Sequence, residues 1–217
     1  SNKDDYQAHD LLISSDNGLG LENTWHYRPL SSGKNEFYVA DHNSIADDDH
    51  FLFGSSMYAV KSFTQSNGVG GSNQRNFQYE NAMFNNKGRG FRGFKTIIEE
   101  DVANNTTTQT DFLQKFPYSS LVERQAVYEG NRTVAFSVVK NDWQLNTTHS
   151  NSSDRAANSY HVFNQKSTQF TCAVDATSCT ETLNLTKKVT EVAQADIDAY
   201  GNVSASTTTV SDEYVTT

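Results

Sequence analysis

The glycines of GRGFRGF, residues 88–94, have the spacing of a nucleotide-binding loop. Gly88, Gly90 and Gly93 match G-x-G-x-x-G, whose backbone amides bind phosphate where a strand leads into a helix. The residues that follow, FKTIIEE, alternate as in a strand, so the helix that such a site needs is not predicted. We therefore expect no cofactor here, and we expect the glycines to permit a bend or bulge at a β-sheet corner.

Two phenylalanines, Phe91 and Phe94, lie in the same stretch. Where glycine lets the backbone bend, a large aromatic side chain can pack over the neighbouring strands. We expect both side chains to be largely buried at this corner.

An acidic segment, residues 31–50, contains residue types that bind metals. It lacks the EF-hand order of acidic residues and the H-E-x-x-H pattern. A solvated acidic loop is the simpler interpretation, a weak calcium site is the alternative, and no metal ligand is assigned. The residues concerned are Asp41, His42, Asp47, Asp48, Asp49 and His50.

Catalytic patterns are absent from the sequence. There is no G-x-S-x-G motif, and the consecutive acids Glu99, Glu100 and Asp101 have the placement of a solvated strand end. No catalytic residue is therefore assigned, and an enzyme is not expected. A glycoside hydrolase or lyase remains an alternative, because its two carboxylates can come from distant positions.

The two cysteines, Cys172 and Cys179, enclose six residues in CAVDATSC. This spacing is too wide for a CxxC half-site, and no second half-site exists. The intervening residues are typical of a hairpin tip, where a disulfide could close the loop. A bridge would indicate an oxidising compartment, and two free thiols are the alternative.

The elements that hold these residues are predicted to be β-strands. Runs rich in Thr, Val and aromatic residues alternate with turn sequences such as DNGLG (16–20), SNGVGG (66–71) and YGN (200–202). The apolar fraction is 35%, below the roughly 45–50% of ordinary globular domains, which favours a thin core. The fold class is all-β, with antiparallel hairpins in an extended, strip-like or layered sheet.

The charge and the apolar runs of the sequence argue against two kinds of partner. The net charge of −9 argues against nucleic acid, and no apolar run is long enough to insert into a membrane.

We predict a disordered or tag-derived N-terminus over residues 1–10 and a single all-β segment over 11–217. A division into two subdomains near 141–160 is the alternative.

Several stretches together resemble the Rhs/YD-repeat family, most closely the B component of bacterial insecticidal toxin complexes and its virulence-plasmid relatives. They are YENAMFNNKGRGFRGFKTIIEED (79–101), TTQTDFLQKFPYSSLVERQAVY (107–128), VVKNDWQL (138–145), YHVFNQKST (160–168) and DIDAYGNVSAST (196–207). The stretches LLISSDNGLGLENTWHYRPL (11–30) and VKSFTQSNGVGG (60–71) resemble earlier hairpins of the family.

The resemblance implies a non-enzymatic segment of a large secreted or surface-delivered toxin, in which a β-shell encloses a C-terminal payload. Its partners would be the rest of its own polypeptide and that payload. The motifs imply structural roles for Gly88, Gly90, Phe91, Gly93, Phe94, Pro117, Tyr118, Tyr200, Gly201 and Asn202. The alternative is a carbohydrate-binding or adhesive β-module of a surface protein, in which exposed Trp25 and Trp143 would stack on sugar rings.

Overall fold

A computed structural model describes residues 10–32, 36–41, 48–130, 132–146, 160–173, 175–198 and 200–212. Nearly all regular structure within these ranges is β-strand, joined by short 3-10 helices at Leu30–Ser32 and Gln194–Asp196. The all-β class with antiparallel hairpins is confirmed. In the described ranges, no helix is long and apolar enough to cross a bilayer.

The strands of the N-terminal half vary from two to nine residues in length. Their bounds are β1 (Ser14–Asp16), β2 (Glu22–Pro29), β3 (Tyr38–Val39), β4 (His50–Leu52), β5 (Tyr58–Ser66), β6 (Ser72–Glu80), β7 (Met83–Asn85), β8 (Gly90–Phe91) and β9 (Thr96–Asp101).

The later strands are mostly longer. Their bounds are β10 (Thr106–Phe112), β11 (Val122–Glu129), β12 (Ser137–Leu145), β13 (Val162–Thr171), β14 (Thr186–Glu191) and β15 (Thr207–Ser211).

The chain divides into two compact units, Ser1–Gln109 and Thr110–Thr217, with the boundary inside β10. The sequence predicts a single all-β segment over 11–217, with a division near 141–160 as the alternative. In the structure, the strands on either side of that region, β12 and β13, pair with each other from Ser137↔Thr171 to Leu145↔Val162. This long antiparallel pairing keeps both strands in one unit. Of the predicted N-terminal segment 1–10, only Asp10 lies within the described residues.

In the first unit the strand order is β1-β2-β5-β6-β9, and each neighbouring pair is antiparallel. The two-residue strand β3 pairs with β6 in parallel, and β4-β7-β8 form a separate small sheet. The core consists of Leu30, Phe37, Tyr38, Tyr79 and Ala82. It forms where the parallel strand β3 brings Phe37 and Tyr38 against β6.

In the second unit the order is β11-β12-β13-β14-β15, again antiparallel throughout. Residues of β12 alternate between half-buried or buried and exposed positions, as expected for a strand with one covered face. The pairing of β12 with β13 is interrupted by a register shift between Asp142 and Trp143. A second core forms from Ala126, Ala135, Val138, Phe170 and Cys172.

Candidate functional site

The GRGFRGF stretch forms a tight hairpin between β7 and β8. Its register pairs Phe84 with Phe91 and Asn85 with Gly90. All three glycines have positive φ, at 94° for Gly88, 67° for Gly90 and 84° for Gly93, which a residue with a Cβ adopts only at a cost. The chain then enters β9, so a strand and not a helix follows the loop.

The side chain of Asn85 closes this hairpin. Its Oδ1 accepts the backbone N–H groups of Lys87 at 3.0 Å and Arg89 at 3.3 Å. Amides that a phosphate loop would turn towards a ligand are therefore used within the turn. The positive φ values of the three glycines agree with a bend in the backbone here, and their structural role stays a prediction.

A chain of aromatic rings surrounds the corner. Phe94 packs at a ring distance of 4.6 Å on Tyr79, whose pKa is raised to about 12 by burial and by the charge of Glu99. Phe91 contacts Phe53 at 5.6 Å and Phe94 at 5.8 Å. The rings thus connect the small sheet to the core of the first unit.

The expectation that Phe91 is largely buried is wrong. Its side chain is 40% exposed, whereas Phe94 is half-buried and packs against the core. The reason is topological: β8 is a two-residue edge strand of the three-stranded sheet, so Phe91 has neighbours on one side only. Sequence spacing could not distinguish the two phenylalanines, because the glycines around them are alike.

We expect Phe94→Ala to cost more stability than Phe91→Ala. Loss of the half-buried ring should lower the free energy of unfolding by about 2–3 kcal/mol, below the usual range for fully buried phenylalanine. Loss of the exposed ring should cost about 1 kcal/mol, mainly through its aromatic contacts. Urea unfolding of both variants measures the difference, and equal losses would contradict this view of the corner.

The same arrangement of hydrogen bonds recurs in two N-G-x-G loops, which the sequence predicts to be turns. Asn17 Oδ1 accepts the N–H groups of Leu19 and Leu21 at 2.9 and 3.0 Å. Asn67 Oδ1 accepts those of Val69 and Gly71 at 3.1 and 2.9 Å. In each loop these side-chain bonds add to a backbone bond across the turn, from the Asn17 N–H to the Leu21 carbonyl at 3.2 Å and from the Asn67 N–H to the Gly71 carbonyl at 2.9 Å.

The D-A-Y-G-N turn is built in this way with an aspartate. Asp198 Oδ1 accepts the N–H groups of Tyr200 and Asn202, both at 2.8 Å, and its Oδ2 accepts the Asn202 side-chain amide at 2.8 Å. These bonds lower the pKa of Asp198, and the bond from the Asn202 side chain has the largest effect. Gly201 has a φ of 87° and its Cα lies against the ring of His161, while Tyr200 points into solvent.

The FPYS segment connects β10 to β11 within the second unit. The peptide bond between Phe116 and Pro117 is cis, and the Tyr118 N–H donates to the Lys115 carbonyl at 2.9 Å. Phe116 packs edge-on against Tyr160 at 4.6 Å. Pro117 and Tyr118 therefore lie in a compact turn.

The acids singled out from the sequence are dispersed. Glu99 pairs with Arg75 at 3.1 Å, Glu100 accepts the Asn76 side-chain amide at 2.8 Å, and Asp101 accepts bonds from Asn104. Arg75 and Asn76 lie on the neighbouring strand β6, and Asn104 lies in the turn after β9, so each carboxylate has its own partner. Among the described residues, no group of three or more His, Cys, Asp or Glu side chains could hold a metal ion.

Part of the acidic segment can be placed. Asp49 forms an exposed ion pair with Lys87 at 3.7 Å, and the His50 ring contacts the Asn85 side chain at 3.0 Å. The backbone N–H of Asp41 donates to the Asn81 side chain at 2.7 Å. His42 and Asp47 lie outside the described residues, so the calcium question stays a prediction there.

The two cysteines form a disulfide, with an S–S distance of 2.07 Å and a Cα–Cα distance of 5.7 Å. Cys172 is buried beside Phe170 in the core of the second unit. The loop that the bridge closes is also held by a hydrogen bond from the Arg132 guanidinium to the Ala176 carbonyl at 3.0 Å. The bridge thus joins the loop to the core.

A shallow groove of about 470 Å³ lies between the two N-G-x-G loops. Its lining is glycine backbone and hydroxyl groups, and Glu22 is the carboxylate among them. The tryptophans do not supply sugar-stacking faces: Trp25 is half-buried against Phe63 at 5.4 Å, and half-buried Trp143 donates its indole N–H to the Val122 carbonyl at 2.8 Å.

Comparison with known proteins agrees with the resemblance seen in the motifs. Residues 2–122 match the family described as the middle/N-terminal region of the insecticide toxin TcdB. The chain belongs to this family. The predicted relation to the B component of toxin complexes is confirmed, and the match covers the GRGFRGF corner and the FPYS turn of this TcdB-family chain.

A solved structure shares the fold. It is a Tc holotoxin pore of Photorhabdus luminescens with a mutated TccC3 component, with a TM-score of 0.56 and 11% sequence identity. The similarity covers 84% of this chain and 12% of that one, so the TcdB-family chain spans about an eighth of the matched protein. No curated protein matches the sequence.

Proposed function

We propose that this chain is a non-enzymatic wall segment of a toxin-complex B component, which helps to form a β-shell around a C-terminal payload. Membership of the TcdB middle/N-terminal family supports a structural role in a toxin component. Its partners would be the rest of the same polypeptide and the enclosed payload. The whole protein would act outside the cell that makes it.

The observation that carries the proposal is how few hydrophobic residues the sheet buries. Most strands of each unit are hydrogen-bonded neighbours in one antiparallel sheet, and only 13 hydrophobic residues are buried in the part of the chain that the structure describes. All seven residues of β10 are half-buried, so neither face of that strand is a closed core or open surface. A wall with a lumen on one side needs such strands, whereas an enzyme needs a concave site.

Both alternatives have less support in the described residues. A glycosidase needs two carboxylates that face one substrate, and the acids at the end of β9 are each bonded to a different neighbour. A sugar-binding module of the kind suggested by the sequence needs exposed tryptophan faces, and both tryptophans are half-buried in internal contacts.

The test compares two variants of the full-length toxin component that contains this segment. The first carries Glu99→Gln, Glu100→Gln and Asp101→Asn, which removes three carboxylates with little change in shape. The second carries Ala126→Asp, which places a charge at a fully buried position of β11. Toxicity, thermal unfolding and protease protection of the payload are measured for both.

A wall predicts opposite outcomes for the two variants. The carboxylate variant should keep its toxicity and its protected payload, because it loses one exposed ion pair, worth less than about 1 kcal/mol, and one exposed hydrogen bond between Asn104 and Asp101. The Ala126→Asp variant should expose the payload to protease and lose toxicity. If the carboxylate variant loses toxicity while its fold and payload are intact, the segment performs chemistry and the proposal fails.

A further inference from the structure

The two N-G-x-G loops of the first unit share the hydrogen bonds of their asparagine side chain and differ in the hydrogen bond of the glycine N–H that follows. Each begins with an exposed asparagine, Asn17 or Asn67, followed by a glycine of positive φ, 73° in the first loop and 74° in the second. In each, the asparagine Oδ1 accepts two backbone N–H groups at 2.9–3.1 Å. The loops therefore hold the asparagine amide in the same way.

The difference lies in the N–H of the glycine that follows. The Gly18 N–H donates to the carboxylate of Asp16. The position equivalent to Asp16 is Ser66, whose hydroxyl is occupied: it accepts the Glu22 N–H and donates to the Gly20 carbonyl, both at 2.9 Å. The Gly68 N–H has no hydrogen-bond partner among the residues that the structure describes.

We propose that Asn67 is a site of spontaneous deamidation and that Asn17 is protected from it. In this reaction the Gly68 nitrogen loses its proton and bonds to Cγ of Asn67, and ammonia leaves, so that a cyclic succinimide forms. Water then opens either carbonyl of the ring and leaves aspartate or isoaspartate. Water is the sole co-reactant, and no oxidation or reduction occurs.

Three features of the second loop favour the attack. Gly68 has no side chain to obstruct its nitrogen, its N–H is not engaged by another described residue, and it directly follows Asn67 in the chain. The Val69 and Gly71 N–H groups, already bonded to Oδ1, stabilise the negative charge that develops on this oxygen, in the manner of an oxyanion hole. In the first loop the same donors are present, but the Asp16 carboxylate holds the proton that must leave.

The two products differ in their effect on the loop. Aspartate at position 67 keeps an oxygen where Oδ1 lies, so both hydrogen bonds persist, and a negative charge is added between Ser66 and Gly68, which line the groove. Isoaspartate routes the backbone through the side chain and lengthens the turn, which breaks the bonds to Val69 and Gly71. The site would thus alter the groove between the two loops.

The experiment follows both asparagines in one sample. The purified chain is incubated at mildly alkaline pH, with a parallel sample in denaturant, and is digested at intervals. Trypsin releases Asn67 in the peptide 62–75, because it cleaves after Lys61 and Arg75, and fragment ions distinguish Asn67 from Asn73 in the same peptide. Mass spectrometry measures conversion of amide to acid at each site. In the folded protein, Asn67 should react several-fold faster than Asn17 and no slower than in denaturant, where the two sites should react alike.

Exchanging the distinguishing residue provides the matched control. Asp16→Ser frees the Gly18 N–H, so Asn17 should accelerate towards the rate of Asn67, while the rate at Asn67 stays unchanged. Circular dichroism verifies that the variant is folded, and Asp16 is an exposed edge-strand residue whose loss the fold should tolerate. Equal rates at both sites in the folded protein, a folded rate at Asn67 below the rate in denaturant, or no response to Asp16→Ser would each overturn the proposal.

Discussion

Replacing Gly201 with alanine is expected to be one of the most damaging small changes in the second unit. Gly201 has a φ of 87°, and an added Cβ would overlap the ring of His161. The backbone strain costs about 1–2 kcal/mol, and overpacking against the ring adds about 1–3 kcal/mol. We therefore expect the free energy of unfolding in urea to fall by about 2–5 kcal/mol.

Gly70 provides a matched control for this prediction. Its φ is 88°, and a Cβ there would meet nothing within 4 Å. Gly70→Ala carries the same strain without the overlap, so its loss should stay near 1–2 kcal/mol, roughly the left-handed penalty alone. His161→Ala in the Gly201→Ala background should recover part of the loss, because it removes the ring. Equal losses for the two glycine variants would contradict the assigned contact.

The contact between Gly201 and His161 links the D-A-Y-G-N turn to the residue before β13. His161 precedes β13, and its carbonyl accepts the N–H of Asn146 at 2.8 Å. The buried Asn146 side chain in turn donates to the Asp198 carbonyl at 3.2 Å and accepts from the Gln194 side chain at 2.8 Å. The D-A-Y-G-N turn is thus fixed to the start of β13 by these contacts.

The second large effect is expected for Phe170→Ala. Phe170 is 1% exposed, lies in β13 and packs with Ala126, Val138 and the Cys172 end of the disulfide. Removing a fully buried phenylalanine ring costs about 3–5 kcal/mol through lost burial and a residual cavity. With a core this small, few other side chains can move to fill the space.

The neighbouring residue serves as the control for this change. Gln169 is on the opposite, exposed face of β13, so Gln169→Ala should alter stability by less than about 0.5 kcal/mol. Urea unfolding of both variants, with the disulfide left oxidised, measures the contrast. A loss below about 1 kcal/mol for Phe170→Ala would show that the second core contributes little to stability.

Local sequence carried the prediction of fold class and family. The alternation of residues in the strands and the glycine turns depends on backbone preferences that act within a few residues, so hairpins could be foreseen. The motifs GRGFRGF and FPYS lie within the part of the chain that matches the TcdB family. A thin core also followed from composition alone, since 35% apolar residues cannot fill a thick one.

Burial and pairing between distant residues were decided by tertiary structure. Phe91 and Phe94 have similar local sequences, yet one lies on an edge strand and the other contacts Tyr79. The sequence left Cys172 and Cys179 open as a bridge or two thiols, and the fold of their loop brings the sulfurs together. The contact between Gly201 and His161 joins residues 40 positions apart. Such outcomes depend on which strands become neighbours, and a local pattern carries no information about what packs against it from elsewhere in the chain.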